Sequence, residues 1–341
     1  MKERNQNIDA VRGTAAILVM FGHCIVLNQM QDGLIYDMIK SVQMPLFILV
    51  SGYLASKTKY IHTYQELGRL IKKRAAVCLI PFFTWILVLH PTTFLVSLRE
   101  TMLQTDKGLW FLMVLFLFSF VQILARYGQC FLEKRKGILA GWIVFIVIWS
   151  IFGILLLAQI MSGNQFLSPH LSIYYLPFYL AGVLVKNVYD YIPDKFEIAN
   201  RFLSIPIIIL CLALLFFISL QYDMIQVTDK KILLLQLLAS LSGSIGIILV
   251  VNKIKGKSKQ LLSFVGQYTL EIYVIHYHFA RILWQNTKPV TELGFEWFYR
   301  IMVSWIFMTI LTTAVIWILK KIKIADILLF GQFYQYRFKK R

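Results

Sequence analysis

Three ionisable side chains interrupt the first apolar stretch of the chain, NQNIDAVRGTAAILVMFGHCIVLNQ (5–29): Asp9, Arg12 and His23. A second set lies in LSFVGQYTLEIYVIHYHFA (262–280), where Glu271, Tyr273 and His276 follow one another at short helical steps. An imidazole with a pKa near ~6.5 can take or give a proton at physiological pH. A guanidinium can hold an anion. A carboxylate among apolar residues needs a partner or a proton. On a helix, the path from Arg12 to His23 makes about three turns, so the two share a face roughly 16 Å apart. Asp9, one turn before Arg12, joins that face. The plain alternatives are that Arg12 reaches an interface with Asp9 as its partner and that His23 makes a structural bond between helices. His278 is expected nearer the outer mouth, in water.

The elements that must position these groups are membrane helices. A chain of 341 residues with 58% hydrophobic and 15% charged content and a mean hydropathy of +0.67 is not a soluble domain. Apolar runs recur, each near the roughly 20 residues a helix needs to cross about 30 Å of hydrocarbon. Ten are read, at about 7–28, 41–56, 76–92, 108–126, 138–160, 171–186, 202–221, 232–252, 262–283 and 299–319. The second and sixth are short and contain Pro45 and Pro177. The expected fold is an all-α, polytopic membrane bundle.

Basic clusters set the orientation, because Lys and Arg collect in cytoplasmic loops. RLIKKR (69–74), EKRKG (133–137), KIKGKSK (253–259), KKIK (320–323) and the terminal RFKKR fall on one side of a ten-span chain, with Lys230 and Lys231 the exception. Both termini are therefore expected in the cytoplasm, in the cell membrane of a multi-pass protein. The net charge of +18 is explained by these loops and by contact with anionic lipid headgroups, not by a nucleic-acid partner. Cys24, Cys78, Cys130 and Cys211 show no CxxC spacing, which argues against disulfides and a metal site. Asp9 and Arg12 interrupt the first span, so no cleavable signal peptide is read. With no repeat or low-complexity segment, 1–341 is expected to be one transmembrane domain with a basic tail from about 320.

Asp-x-x-Arg-Gly followed by His, with ten residues between Arg12 and His23, resembles the start of the acyltransferase 3 family of membrane acyltransferases. MPLFILVSGYL (44–54) resembles that family's second-helix motif, RLIKKRAAVCLIPFF (69–83) its basic loop leading to a proline, and LWFL (109–112) the opening of its fourth helix. YLPFYLAGVL (175–184) and VGQYTLEIYVIH (265–276) extend the likeness over roughly 5–320, and the latter is similar to the fucose 4-O-acetylase-like branch. No C-terminal esterase-like domain is expected beside the membrane unit.

The resemblance implies transfer of an acyl group, usually acetyl, from cytoplasmic acyl-CoA to a hydroxyl of a sugar, a cell-surface polysaccharide or a lipid-linked glycan. Acetyl-CoA is then a donor substrate, with no permanently bound cofactor. Acyl transfer to an alcohol needs a base, donors for the oxyanion and cations for the CoA phosphates. His23 is the expected base. Arg12, Arg69, Lys73 and Arg74, with Lys72, are the expected donor-binding cations, and Asp9 orients Arg12. His276 is a second acid or base or a group that positions the acceptor, Tyr273 an oxyanion donor or sugar ligand, and Glu271 the support of a histidine. Ser51 and Gly52 allow close helix approach near Pro45, and Trp110 either stacks on a sugar or anchors the interface. His23, Glu271 and His276 are expected to line one cavity between the first, second and ninth helices, with Arg12 below it. Direct transfer and an acyl-histidine both stay open, as do acetyl and succinyl donors. The rival classes are a proton-coupled transporter or flippase, with the same residues as a relay, and a silent membrane sensor.

Overall fold

In a computed structural model of the protein, residues 5–30, 33–57, 61–104, 108–191, 196–223, 229–284, 287, 288, 290 and 292–333 are described, with backbone alone for 187–191 and 196–203. These residues form helices α1 (Gln6–Leu27), α2 (Leu34–Ser56), α3 (Tyr64–Leu89), α4 (Phe94–Leu103), α5 (Trp110–Lys136), α6 (Ile138–Met161) and α7 (Pro169–Tyr191). They continue with α8 (Phe196–Gln221), α9 (Lys230–Lys253), α10 (Gly256–Gln267), α11 (Thr269–Ile275), α12 (Phe295–Lys321) and α13 (Lys323–Phe330). Two short 3₁₀ turns, His276–Phe279 and Ile282–Trp284, follow α11. No strand occurs among the described residues.

Local chemistry marks the helix ends. The Asn5 side chain accepts from the backbone N–H groups of Asn7 and Ile8 at 3.0 and 3.3 Å and so starts α1. At the other end Gln29 takes φ +56°, Gln29 N–H donates to Val26 O and Met30 N–H to Ile25 O, a Schellman closure. α1 is thus one unbroken helix carrying Asp9, Arg12 and His23.

Seven helices among the described residues are long and apolar enough to cross a membrane: α1, α2, α5, α6, 204–221 of α8, α9 and α12. The other three expected spans differ. The first half of α3 carries Glu66 and the basic cluster, which leaves 75–89 covering only about 22 Å. α7 mixes its apolar residues with tyrosines and Pro177. The ninth expected span is not one helix but α10, α11 and a 3₁₀ turn, broken at Tyr268. α2 also begins at Leu34 rather than near 41, because its first turns include Asp37 and Lys40, which a hydropathy reading excludes. On α6, Ile146, Ile151 and Ile154 are exposed, a face suited to lipid.

The chain divides into two compact units, Met1–Val50 with Val188–Ile318 and Ser51–Asn187 with Leu319–Arg341. Each unit is assembled from two distant stretches, so no boundary shows in the composition. In the first, Gly13 and Gly266 let the backbones of α1 and α10 touch: a Cβ at either would overlap the carbonyl of Leu262 or Asp9. Its core joins Met20, Cys24 and Ile25 of α1 to Trp297, Ile301 and Met308 of α12. In the second, Phe118 of α5, Trp149 of α6 and Tyr179 of α7 form an aromatic core, with ring centroids 5.1 Å apart for Phe118 and Tyr179. The segment expected as a basic tail contributes α13, whose Leu329 carbonyl accepts from Trp85 Nε1 of α3 at 3.0 Å. Phe330 is fully buried there because the sequence ILLF gives α13 an apolar face to cover. The terminal RFKKR lies outside the described residues.

Candidate active site

α1 runs beside α10 and α11 in the same direction, since Asp9 meets Gly266, Arg12 meets Thr269 and His23 meets His276. The break at Tyr268 places Thr269 at the head of α11, where its hydroxyl faces α1. Arg12 Nη2 donates to Thr269 Oγ1 at 2.6 Å, and Arg12 Nη1 stands 3.6 Å from Asp9 Oδ1. The cation is therefore held by a hydroxyl across the interface and by a carboxylate one turn back. Asp9 is buried, while the Arg12 side chain keeps 28% of its surface.

Further along the same pair of elements, the rings of His23 and His276 lie 5.1 Å apart at 59°. Tyr277 meets His23 edge-on at 5.2 Å. His276 is held by Ile272, whose carbonyl lies 2.7 Å from Nδ1 and also accepts the His276 backbone N–H. A carbonyl only accepts, so Nδ1 carries the hydrogen and a neutral His276 presents Nε2 as a lone pair. His276 Nε2 and His23 Nδ1 are buried with no hydrogen-bond partner among the described residues. Leaving a buried polar atom unmatched costs about 1–3 kcal/mol, so two such nitrogens on neighbouring rings make this pair the candidate site. Glu271 is buried in the first turn of α11, Tyr273 is partly buried, and His278 is exposed.

The remaining expected residues lie in the second unit. Ser51 and Gly52 are in the last turns of α2, and a Cβ on Gly52 would overlap the Tyr179 carbonyl of α7. Trp110 opens α5 and stacks on Tyr175 at 5.0 Å and 20°, so one face of the indole is covered by protein. On α3, Arg69, Lys72 and Lys73 are exposed and Arg74 is half-buried. Lys73 and Arg74 line a cavity of about 230 Å³ with Arg126 and Gln122.

The family model for acyltransferase 3, described as an acyltransferase domain, matches residues 5–321, nearly the whole chain and both units. The chain belongs to the acyltransferase 3 family. No curated protein and no solved structure matches it significantly. As an acyltransferase 3 protein with several membrane-crossing helices, it is a membrane acyltransferase.

Sequence reasoning passed over several residues of this acyltransferase that the structure brings to its sites. Thr269 holds Arg12, yet a threonine in an apolar run carries no signal until the helix break turns it toward α1. Tyr277 sits next to His276 and reads as one more aromatic. Gln122 and Arg126 lie in an expected span, where a Gln and an Arg four residues apart were a usable signal of an inward face.

Proposed function

We propose that this membrane acyltransferase is an O-acetyltransferase of the cytoplasmic membrane, of the fucose 4-O-acetylase-like kind. It moves an acetyl group from acyl-CoA to a hydroxyl of a sugar, a surface polysaccharide or a lipid-linked glycan. The observation that carries this reading is the buried His23–His276 pair, with two nitrogens that lack partners among the described residues, in a chain of an acyltransferase family.

In the proposed step the acceptor hydroxyl gives its proton to His23 Nδ1 as its oxygen bonds to the thioester carbonyl carbon. The tetrahedral oxyanion collapses, the carbon–sulfur bond breaks, and the CoA thiolate takes the proton back from the imidazolium. His276, with Nδ1–H committed to Ile272, can accept from the acceptor hydroxyl at Nε2 but cannot donate to the oxyanion while neutral. It therefore serves as a second base or as a guide for the acceptor. Tyr273 is the proposed oxyanion donor or sugar ligand. Glu271 is proposed as a buried support of the histidines, Ser51 and Gly52 as framework, and Trp110 as an acceptor platform on the face Tyr175 does not cover. Lys73 and Arg74, with Arg69 beside them, hold donor phosphates. Arg12, placed by Thr269 and Asp9, is proposed to meet the same anionic class.

The test is acetyl-CoA consumption by the purified protein in nanodiscs against a panel of sugar acceptors, beside His23→Ala and Arg12→Ala. Loss of turnover with His23→Ala and a raised donor KM with Arg12→Ala support the assignment. Unchanged turnover in both variants overturns it, and a wild-type protein that binds no acyl-CoA hands the residues to a proton-coupled transporter.

A further inference from the structure

The cavity in the second unit is lined by three cations, Lys73 and Arg74 from α3 and Arg126 from α5, and among the described residues no carboxylate lines it with them. Cations crowd a partly enclosed space at a cost that grows with each charge, unless an anion enters. α5 supplies more than a charge. Ser119, Gln122 and Arg126 stand at i, i+3 and i+7 on one helix face, and all three line the cavity.

Gln122 is 1% exposed, and its Oε1 accepts from Trp149 Nε1 at 3.3 Å. That bond orients the amide. Its Nε2 is left buried with no hydrogen-bond partner among the described residues, so the amide has two N–H donors to give. Arg126 is fixed by Nη1 donating to Gln129 Oε1 at 2.8 Å and Nη2 donating to the Ser56 carbonyl at 3.3 Å, at the end of α2. The volume of about 230 Å³ falls below the roughly 300–1,000 Å³ of sites that enclose a whole small molecule. It suits one anionic group.

We infer that Ser119, Gln122 and Arg126 of α5 complete, with Lys73 and Arg74 of α3, a binding site for a phosphate monoester or diphosphate group. Under the proposed function that group is the phosphorylated end of the acyl donor, and only this naming of the ligand rests on that reading. The phosphate of an anionic lipid headgroup offers the same chemistry.

The experiment uses the full chain in phosphatidylcholine nanodiscs, with inorganic pyrophosphate and CoA as probes and thermal unfolding and binding isotherms as readouts. The variants are Gln122→Glu, Arg126→Gln and Arg126→Lys. Gln122→Glu keeps an oxygen for Trp149 while setting a negative charge among the cations, so it carries the test even if Arg126→Gln frees Ser56 and unfolds. Both probes are expected to bind and stabilise the wild type, to bind about tenfold or more weakly to Gln122→Glu and Arg126→Gln, and to be partly restored by Arg126→Lys. If pyrophosphate binds in this pattern and CoA does not, the anion site stands and the CoA-donor reading falls. Displacement of pyrophosphate on moving to phosphatidylglycerol nanodiscs then names the lipid headgroup as the source. Pyrophosphate binding that is absent in the wild type, or equal in Gln122→Glu and Arg126→Gln, overturns the inference.

Discussion

Arg12 and His276 show how much a single acceptor decides. For Arg12 the acceptor is the Thr269 hydroxyl, which takes a charge-assisted bond from the guanidinium at 2.6 Å. Thr269→Val keeps the shape and removes the oxygen. It is expected to cost about 1–3 kcal/mol, seen as a lowered melting temperature in nanodiscs, with Thr269→Ser restoring much of it. A wild-type melting curve for the valine variant would show that the bond carries no stability. For His276 the acceptor is the Ile272 carbonyl, which dictates that Nε2 is the nitrogen left for the proposed chemistry. His276→Asn can still donate to that carbonyl but has no atom in the place of Nε2. It should keep the fold and lower the acyl-transfer rate by about 10²-fold or more, measured as acetyl-CoA turnover beside an unchanged melting temperature.

At the scale of elements, the contact of α1 with α10 is made backbone to backbone. Gly266→Ala puts a methyl group where the Asp9 carbonyl stands, and α1 cannot yield without moving Arg12 from Thr269. A loss of about 1–3 kcal/mol is expected, with a fall in turnover that Gly68→Ala, where a Cβ meets open space, does not produce. The start of α3 has a different support. Glu66 Oε2 accepts from His62 N–H at 3.0 Å and Thr63 Oγ1 accepts from Glu66 N–H at 3.2 Å. The His62 N–H holds the Glu66 carboxylate below its ordinary range, with Thr63, Arg69 and His62 adding to the effect and desolvation opposing it. A depressed carboxylate stabilises the folded form above its unfolded value of roughly 4.3 and loses that support as pH falls through the folded value. Hydrogen exchange at 62–68 should therefore rise in acid below that range, and in Glu66→Gln it should be raised already at neutral pH and flat across the window.

For the whole molecule, an even number of crossings between the basic clusters would put both termini in the cytoplasm. Single cysteines placed at Arg135 and Lys257 should react with an impermeant maleimide only after the cells are opened, whereas one at Lys230 should react in intact cells. The native Cys24, Cys78, Cys130 and Cys211 are all buried, so the background is low. A protected position 230 would mean a different number of crossings. This test also bears on α3, α7 and the broken α10–α11 stretch, which are not among the seven helices that cross by length and apolarity alone.

Helical class, membrane residence and family membership could all be read from residue order, because hydropathy runs and the Arg12–His23 spacing are local properties that survive any packing. His23 and His276 were also legible, since an imidazole in an apolar run stands out by its cost. Where the ninth span breaks was not legible. The packing that lets Gly266 rest on the Asp9 carbonyl, and so turns Thr269 toward Arg12, joins residues far apart in the chain. Likewise the cavity around Gln122 and Arg126, the seat of α13 on α3 and the division into two units each depend on contacts between distant stretches. Periodicity states what a residue's face is made of, and only packing states what that face meets.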